Sequence, residues 1–346
     1  MNDKRKTLTC ATIRIITWTA MLLKPAFMNV IKLQRRIAKA TKEGRWGKVN
    51  ALQRILTRSF SAKILAVIRV TSNKVAYTPG VDNKLWMNAY DKAQAVFELR
   101  HRGYKPSPLR RIYIPKKDKN KLRPLSIPTM RDRAMQALHK MALEPVAETL
   151  ADPNYSLIIL IFKGIHEIAS LSSYGFRKYR SCADAIQQCF ICLAKDYHAK
   201  WIFEADIKSC FDQISHKWLL DNIPMEKKIL RKWLKAGYIE KNRKYKTFAG
   251  TPQGGIISPV LMNMTLDGLE KAIRKKFPKW KKSKVNFVRY AADFIITSPD
   301  KETIINEIQP LVEEFIAQRG LLISPEKTKI TNINDGFDFL SFHDIG

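Results

Sequence analysis

The segment Tyr290–Asp293 constrains the fold of this chain more than any other. It lies between two apolar runs, Val285–Tyr290 and Phe294–Thr297, a pattern that predicts a β-hairpin with an acidic tip. Upstream, the apolar run Trp201–Asp206 predicts a strand that ends in a second carboxylate. A carboxylate at the end of a buried strand is costly unless a cation meets it, and the oxygen of Asp206 suits Mg²⁺. The alternative is that Asp206 caps the helix that follows.

Charge and composition limit the class of partner. With 346 residues, 45% of them hydrophobic, the chain can form one large domain or two ordinary ones. Its 62 Lys and Arg against 31 Asp and Glu give a net charge of +31, which indicates a polyanionic partner. The charge is spread through folded-looking segments, which favours nucleic acid over an anionic membrane.

The N-terminal residues do not predict a membrane span or a secretion signal. Residues 8–31 are fairly apolar, but they contain Arg14, Lys24 and Pro25. No cleavage pattern of a signal peptide follows them. We therefore expect a cytoplasmic protein with no membrane partner, although a protein made inside an organelle would look the same.

The five cysteines include one closely spaced pair, Cys189 and Cys192. A C-x-x-C pair can bind a metal or act in redox chemistry. This pair lacks a second Cys or His pair at the spacing of a zinc site, and it falls in a predicted helix. We expect free thiols in the core of a protein from a reducing compartment.

Residues 27–60 show the periodicity of two basic amphipathic helices, separated by Gly44 and Gly47. Three basic residues lie largely off the apolar stripe of the first helix: Arg35, Arg36 and Lys39. They are either solvated charges of an ordinary helical hairpin or an arm that binds RNA phosphates.

The middle of the chain predicts an α+β architecture. Arg111–Pro115 and Leu122–Leu125 read as two strands of a hairpin whose tip is the basic turn Lys116–Asn120. Helices are predicted at residues 131–144, where Pro145 ends or kinks the helix, and at residues 183–198 and 226–238. Without a βαβ glycine fingerprint, this pattern favours a central sheet that holds the acidic tips.

The segment Ala249–Leu261 predicts a tight loop that opens a helix, because it combines Gly254 and Gly255 with flanking prolines. A Gly-Gly pair lets the backbone approach a flat ligand closely. Physically this indicates only a close-approach loop. As a string, it resembles motif B of group II intron reverse transcriptases nearly letter for letter.

That resemblance extends over most of the chain. Asp206–Asp212 resembles motif A of the family, and Tyr290–Asp293 resembles motif C. Further segments match in the family's order: Lys32–Arg69, Thr78–Asp82, Ile114–Lys116, Arg123–Pro128, Ser173–Arg177, Arg319–Thr328 and Gly336–Leu340. The resemblance implies the fingers and palm of a right-hand polymerase. It places a basic helical N-terminal extension at residues 1–75, fingers at 76–200 and palm at 201–346.

The resemblance also implies an activity and its residues. A group II intron reverse transcriptase joins a dNTP to the 3′-hydroxyl of a DNA primer on an RNA template, with two Mg²⁺ ions, and its partners include intron RNA. Asp206, the Ile207 carbonyl and Asp293 are the implied metal ligands, with position 292 as the missing bridging carboxylate. The implied nucleotide-binding residues are Lys116, Arg123, Phe211, Gln253 and Lys327.

Several of these residues have simpler explanations. Lys116 and Arg123 could belong to a solvated basic turn, and Phe211 would suit a core whatever its role. Phe211 is the implied steric gate against a ribose 2′-hydroxyl, and Lys327 the implied proton donor to pyrophosphate. Asp212 could cap a helix or serve in the site.

Three departures from the family predict an impaired or inactive enzyme. Ala292 stands where the family has the first Asp of Tyr-Ala-Asp-Asp. Residues 155–172 form an apparent insertion that contains the apolar run Leu157–Phe162. The sequence ends at Gly346, inside motif E, so we expect no thumb. Decay of a gene copy would explain all three departures. Deliberate inactivation would explain Ala292 alone. The alternative function is a non-catalytic RNA-binding protein or a remnant of an intron maturase.

Overall fold

The chain folds into two compact units. A computed structural model describes residues 3–115, 122–151, 172–194, 199–278 and 283–340. The first unit combines residues 1–146 with 223–258, and the second combines residues 147–222 with 259–346. Lys116 and the apolar run of the apparent insertion lie outside the described residues.

Helices and strands alternate along the described chain. The α-helices of at least four residues are α1 (Asp3–Lys42), α2 (Trp46–Arg58), α3 (Phe60–Thr71), α4 (Ala89–Glu98), α5 (Met130–Leu150), α6 (Cys182–Leu193), α7 (Cys210–Gln213), α8 (His216–Asn222), α9 (Lys227–Leu234), α10 (Ser258–Leu266), α11 (Leu269–Lys276) and α12 (Gln309–Ala317). The strands are β1 (Leu109–Pro115), β2 (Leu122–Ile127), β3 (Trp201–Asp206), β4 (Tyr238–Glu240), β5 (Arg243–Tyr245), β6 (Asn286–Tyr290), β7 (Asp293–Ser298) and β8 (Lys329–Asn332). This mixture confirms the α+β prediction.

The first unit begins with packed helices. The predicted break between two basic helices is confirmed at Gly44, whose φ of 66° ends α1. The break predicted at Gly47 is wrong, because Gly47 lies in the first turn of α2. α1 packs against α2 and α3, and it buries Val30 and Ile37. Within the described chain, no helix is long and apolar enough to cross a membrane.

Of the two outcomes predicted at Pro145, an end of the helix is wrong, because α5 continues through it. The kink stays a prediction. Proline lacks the N–H that would bond the carbonyl four residues earlier, which belongs to Met141. That carbonyl instead accepts a hydrogen bond from Gln34 Nε2 at 2.8 Å. The side chain of a neighbouring helix thus satisfies the group that the proline leaves open.

The sheet of the first unit has the strand order β2-β1-β4-β5. β1 and β2 form the predicted antiparallel hairpin, with Tyr113 opposite Pro124. The helix predicted at residues 226–238 is shorter than expected. Gly237 has a φ of 72°, which a glycine adopts without strain, and the chain then enters β4.

The sheet of the second unit is antiparallel throughout and has the order β6-β7-β3-β8. Its central strands β7 and β3 are rich in aromatic and β-branched residues, and Phe203 and Ile296 are completely buried. α6 packs against β6 through Cys189 and Leu193. Both predicted strands that carry carboxylates are therefore confirmed, and they pair with each other in one sheet.

Candidate active site

Asp206 and Asp293 face each other at one end of the sheet of the second unit. Asp206 is the last residue of β3 and Asp293 the first of β7, and the two form the final pair of the β3–β7 ladder. The alternative that Asp206 caps the next helix is wrong, because Ser209 directly precedes α7. Asp212 lies within the first turn of that helix and not at its N-cap position.

A two-residue turn, Ala291–Ala292, joins β6 to β7 and forms the tip of the hairpin. Ala291 has a φ of 59°, a left-handed conformation that costs a non-glycine residue about 1 kcal/mol. Gly175 packs directly against this turn. A Cβ at Gly175 would lie 2.8 Å from the Ala291 Cβ and closer still to the Ala291 nitrogen. The tip is thus held against a position that only glycine fits.

Lys327 reaches the acidic pair from the other side of β3. Beyond Asp206 the chain stays paired, since the Lys208 N–H bonds the Leu322 carbonyl and the Ser324 N–H bonds the Asp206 carbonyl, both near 2.9 Å. Neither bond uses the carbonyl of Ile207. A short helical turn after Ser324 then brings the Lys327 ammonium into an ion pair with Asp206 Oδ2.

The electrostatics of the pair favour a bound cation. Asp293 is open to solvent on one side, yet burial and the neighbouring charge of Asp206 raise its pKa to about 6, while Lys327 acts in the opposite direction. Two carboxylates this close repel each other, and a divalent cation between them would remove the repulsion. The residues therefore fit a hard cation such as Mg²⁺. Among the described residues, no third His, Cys, Asp or Glu side chain joins the pair to make a metal-binding cluster of three.

A buried ionic network lies behind the hairpin tip, and sequence reasoning missed most of it. Asp267 Oδ1 accepts hydrogen bonds from Arg289 Nη2 at 2.7 Å and from Arg177 Nη2 at 2.6 Å. Arg177 also bonds Glu148 Oε1 at 2.9 Å. Burial alone would lower the pKa of Arg177, but Asp267 and Glu148 raise it above its usual value. The available signal was Arg289 itself, a charged residue within an apolar strand.

The network supports the turn directly. Arg289 Nη1 bonds the Ala291 carbonyl at 3.3 Å, and the Arg289 backbone carbonyl accepts the Tyr174 N–H at 2.8 Å. Asn263 Nδ2 donates to the Gly175 carbonyl at 2.9 Å. These bonds fix the Gly175 backbone and the hairpin tip against each other.

Phe211 belongs to the second unit and packs near an aromatic neighbour. Its ring lies 6.1 Å from that of Phe176, in an edge-on arrangement, and both rings keep contact with solvent. Phe211 is only half-buried, so the suggestion that it is a plain core residue does not account for its position.

Two predicted nucleotide-binding residues lie in the first unit. Arg123 is exposed on β2, and Gln253 lies in the loop that precedes α10. The Ser126 N–H bonds the Gln253 carbonyl at 2.6 Å, so this loop contacts the strand that carries Arg123. Gly254 has a φ of 103°, and a Cβ there would lie 2.9 Å from the Ser126 carbonyl oxygen, so the loop backbone packs closely on β2. Its close approach to a flat ligand stays a prediction. Lys116 lies outside the described residues.

The three basic residues proposed for RNA lie on the solvent side of α1. Arg35, Arg36 and Lys39 are all exposed, whereas Ile37 and Ala40 are buried. Their placement fits both a solvated face and a surface for phosphates.

A paired carboxylate site on an antiparallel sheet, within a strongly basic α+β chain, is the arrangement expected of a nucleic-acid polymerase. The chain belongs to the reverse transcriptase family. Residues 114–344 match the family described as reverse transcriptase (RNA-dependent DNA polymerase), and residues 18–99 match the N-terminal domain of reverse transcriptase.

Similar proteins include a group II intron-encoded protein and maturase-like proteins. The protein YkfC of Escherichia coli K12 is 30% identical over 90% of this chain and 87% of its own length. The group II intron-encoded protein LtrA of Lactococcus lactis is 33% identical over 85% of this chain, which spans 45% of the length of LtrA. Among solved structures, an alignment with telomerase from Candida albicans covers 69% of this chain and 45% of the telomerase chain. The two chains are 15% identical, with a TM-score of 0.45.

Proposed function

We propose that this chain has the architecture of an RNA-directed DNA polymerase of group II intron type, in which Ala292 impairs catalysis. The observation that carries the proposal is the Asp206–Asp293 pair beside a hairpin tip that lacks a carboxylate at position 292. The family match supports the reaction class, and the second unit supplies two of the carboxylates that this reaction needs, Asp206 and Asp293.

Asp206, the Ile207 carbonyl and Asp293 are the groups that would hold Mg²⁺. When bound, the metal would activate the primer 3′-hydroxyl and stabilise charge on the α-phosphate of a dNTP. The site of this chain brings two negative charges and the positive charge of Lys327. A third carboxylate at position 292 would double the net negative charge, from −1 to −2, so its absence weakens attraction for a divalent cation.

The chain's own residues would perform the remaining roles. Phe211 would exclude a ribose 2′-hydroxyl; its half-exposed ring lies in the first turn of α7, which follows the strand that carries Asp206. The ammonium of Lys327 would give a proton to the pyrophosphate leaving group. Arg123 and Gln253 of the first unit would bind the nucleotide, as the family resemblance implies. Lys116, which lies outside the described residues, would share that role.

Primer extension on an RNA template in Mg²⁺ tests the proposal. Ala292→Asp should extend a DNA primer at least about 10³-fold faster than the chain as it stands, which corresponds to about 4 kcal/mol of transition-state stabilisation. Ala292→Asn is the matched control, because it adds similar volume without charge, and it should not restore activity. Rapid extension by the unchanged chain would contradict the role given to position 292.

A second candidate function is RNA binding without catalysis. The exposed residues Arg35, Arg36 and Lys39 support it, together with the missing carboxylate. Two results together would favour this function. The chain would bind a labelled RNA hairpin with an affinity that falls steeply as salt is added, and even Ala292→Asp would incorporate no nucleotide. Incorporation by Ala292→Asp would favour the polymerase.

A further inference from the structure

The first unit contains a strongly basic cavity that the proposed reaction does not use. It has a volume of about 650 Å³, and all its lining residues belong to the first unit. Its walls come from the loop before β1, from α9 with its C-terminal end, and from β5. Six basic side chains line it: Lys105, Lys228, Arg231, Lys232, Lys235 and Lys244.

Among the described residues, no ion pair neutralises these charges. Glu226 is the one acid in the lining, and none of the six basic side chains forms an ion pair with a described carboxylate. All six residues are exposed. Lys232 Nζ donates to the Tyr104 carbonyl at 2.5 Å, which holds its ammonium at the wall between the helix and the loop.

An ordinary solvated helix face does not account for the cavity. The basic residues of α9 and its end do follow helical spacing, opposite the buried residues Leu230 and Trp233. However, Lys105 and Lys244 reach the same cavity from a loop and a strand, which helix amphipathicity does not require. Bringing like charges together from three elements raises the electrostatic energy of the empty cavity, and a bound anion would lower it.

The walls of the cavity are fixed by buried hydrogen bonds. The hydroxyl of Tyr104 donates to Asp132 Oδ1 at 2.7 Å and accepts from Trp233 Nε1 at 2.8 Å. The Ser107 N–H donates to Asp132 Oδ2 at 3.0 Å. The loop that carries Lys105 is therefore bonded to α5 and α9, so the basic groups are positioned before any ligand arrives, which lowers the cost of binding.

We propose that this cavity binds the phosphodiester backbone of structured RNA and takes neighbouring phosphates of one strand. The lining is rich in ammonium groups, which suit phosphates as point charges and read no base sequence. The net charge of +31 and the family's RNA-directed chemistry make RNA the expected polyanion. The proposal stands even if Ala292→Asp shows no polymerase activity, because it concerns binding alone.

Fluorescence anisotropy of a labelled RNA hairpin, over a series of salt concentrations, tests the cavity. The test variant is Lys228→Glu with Lys235→Glu. The matched control is Lys217→Glu with Lys301→Glu, which changes the net charge equally at exposed lysines of the second unit. The test variant should weaken binding by at least about 10-fold and reduce the salt slope by about 1.5, as expected when two phosphate contacts are lost. The control variant should change the affinity and the salt slope much less.

Further arms decide the alternatives. Circular dichroism should show both variants folded, and the milder Lys228→Gln with Lys235→Gln should weaken binding by a smaller factor in the same direction. Equal weakening by the test and control pairs would overturn the proposal, because it would reflect net charge alone. Displacement of the RNA by micromolar tripolyphosphate would also overturn it, since the cavity would then be a site for a small polyphosphate.

Discussion

Arg289 donates a hydrogen bond to Asp267 over 2.7 Å, and both side chains are almost completely shielded from solvent. Arg177 donates to the same oxygen of Asp267, so one carboxylate partners two buried guanidinium groups. This arrangement joins the strand before the hairpin tip to the segment around Gly175. The geometry of the acidic site therefore depends on a carboxylate that is itself outside it.

Removal of that carboxylate should be costly. Asp267→Ala leaves two buried cations short of a partner, and we expect the free energy of unfolding to fall by about 3–5 kcal/mol. Urea unfolding measures the change. Glu307→Ala is the control, because it breaks an exposed ion pair with Lys276 and should cost less than about 1 kcal/mol. Similar small losses for both variants would show that the network does not stabilise the fold.

Gly175 should tolerate no side chain. In Gly175→Ala, the new methyl group would overlap the backbone of Ala291, and relief of the overlap must displace the tip or the segment around Gly175. We expect a loss of about 1–3 kcal/mol in the free energy of unfolding. Gly47→Ala is a fair comparison, since a Cβ there meets nothing within 4 Å. Because alanine favours the helical conformation of α2, the free energy of unfolding should rise by about 0.5–1 kcal/mol. A neutral Gly175→Ala would contradict the close packing described for the tip.

The histidine pair of the first unit, in which His139 is buried, should make stability sensitive to acid. His139 Nε2 lies 3.1 Å from His101 Nε2, and burial lowers the pKa of His139 to about 3. Below about pH 6.5 the folded state thus binds fewer protons than the unfolded state. The stability that neutral His139 contributes is therefore present above that pH and is lost as pH falls towards 3.

Between pH 7 and pH 5, His139 should account for a loss of about 2 kcal/mol in the free energy of unfolding. Urea unfolding at the two pH values measures it. His139→Gln cannot take up a proton in this range, and it should reduce the pH dependence by that amount. An unchanged pH dependence in His139→Gln would rule out this origin.

Thiol labelling should separate the cysteines by burial. Burial raises the pKa of Cys189 and of Cys210 to about 12, and both are free thiols. Because the thiolate is the reactive form, both should resist iodoacetamide in the native protein, whereas the partly exposed Cys182 should react first. Peptide mass spectrometry on a Cys10→Ser background measures the order. Labelling of Cys189 as fast as Cys182 would contradict the packing of α6 against the sheet.

The sequence allowed the acidic strands to be predicted because their signals are local. Alternating and continuous apolar runs fixed β3 and the β6–β7 hairpin, and the carboxylates sit where those runs end. Family resemblance then connected the two strands. Free thiols at Cys189 and Cys192 were also predicted correctly, from the missing second pair of ligands.

The failures arose where distant residues decide. Pro145 does not end α5 because Gln34, 111 positions upstream, satisfies the carbonyl that the proline leaves open. Asp267 has no local pattern that marks it as the partner of Arg289. The basic cavity could not be predicted from the sequence, because its lysines come from three separate segments. Contacts of this kind depend on tertiary packing, which periodicity along one segment does not encode.

The two-residue turn at Ala291–Ala292 has an evolutionary consequence. Its length fixes the register of β6 and β7, and a slip of one residue would turn every buried side chain of the hairpin outward. Asp293 is held opposite Asp206 by the β3–β7 ladder, so a carboxylate at position 292 requires a replacement of Ala292 itself. A lineage that carries this chain would stand one amino-acid replacement from the complete acidic set, with the scaffold around it already in place.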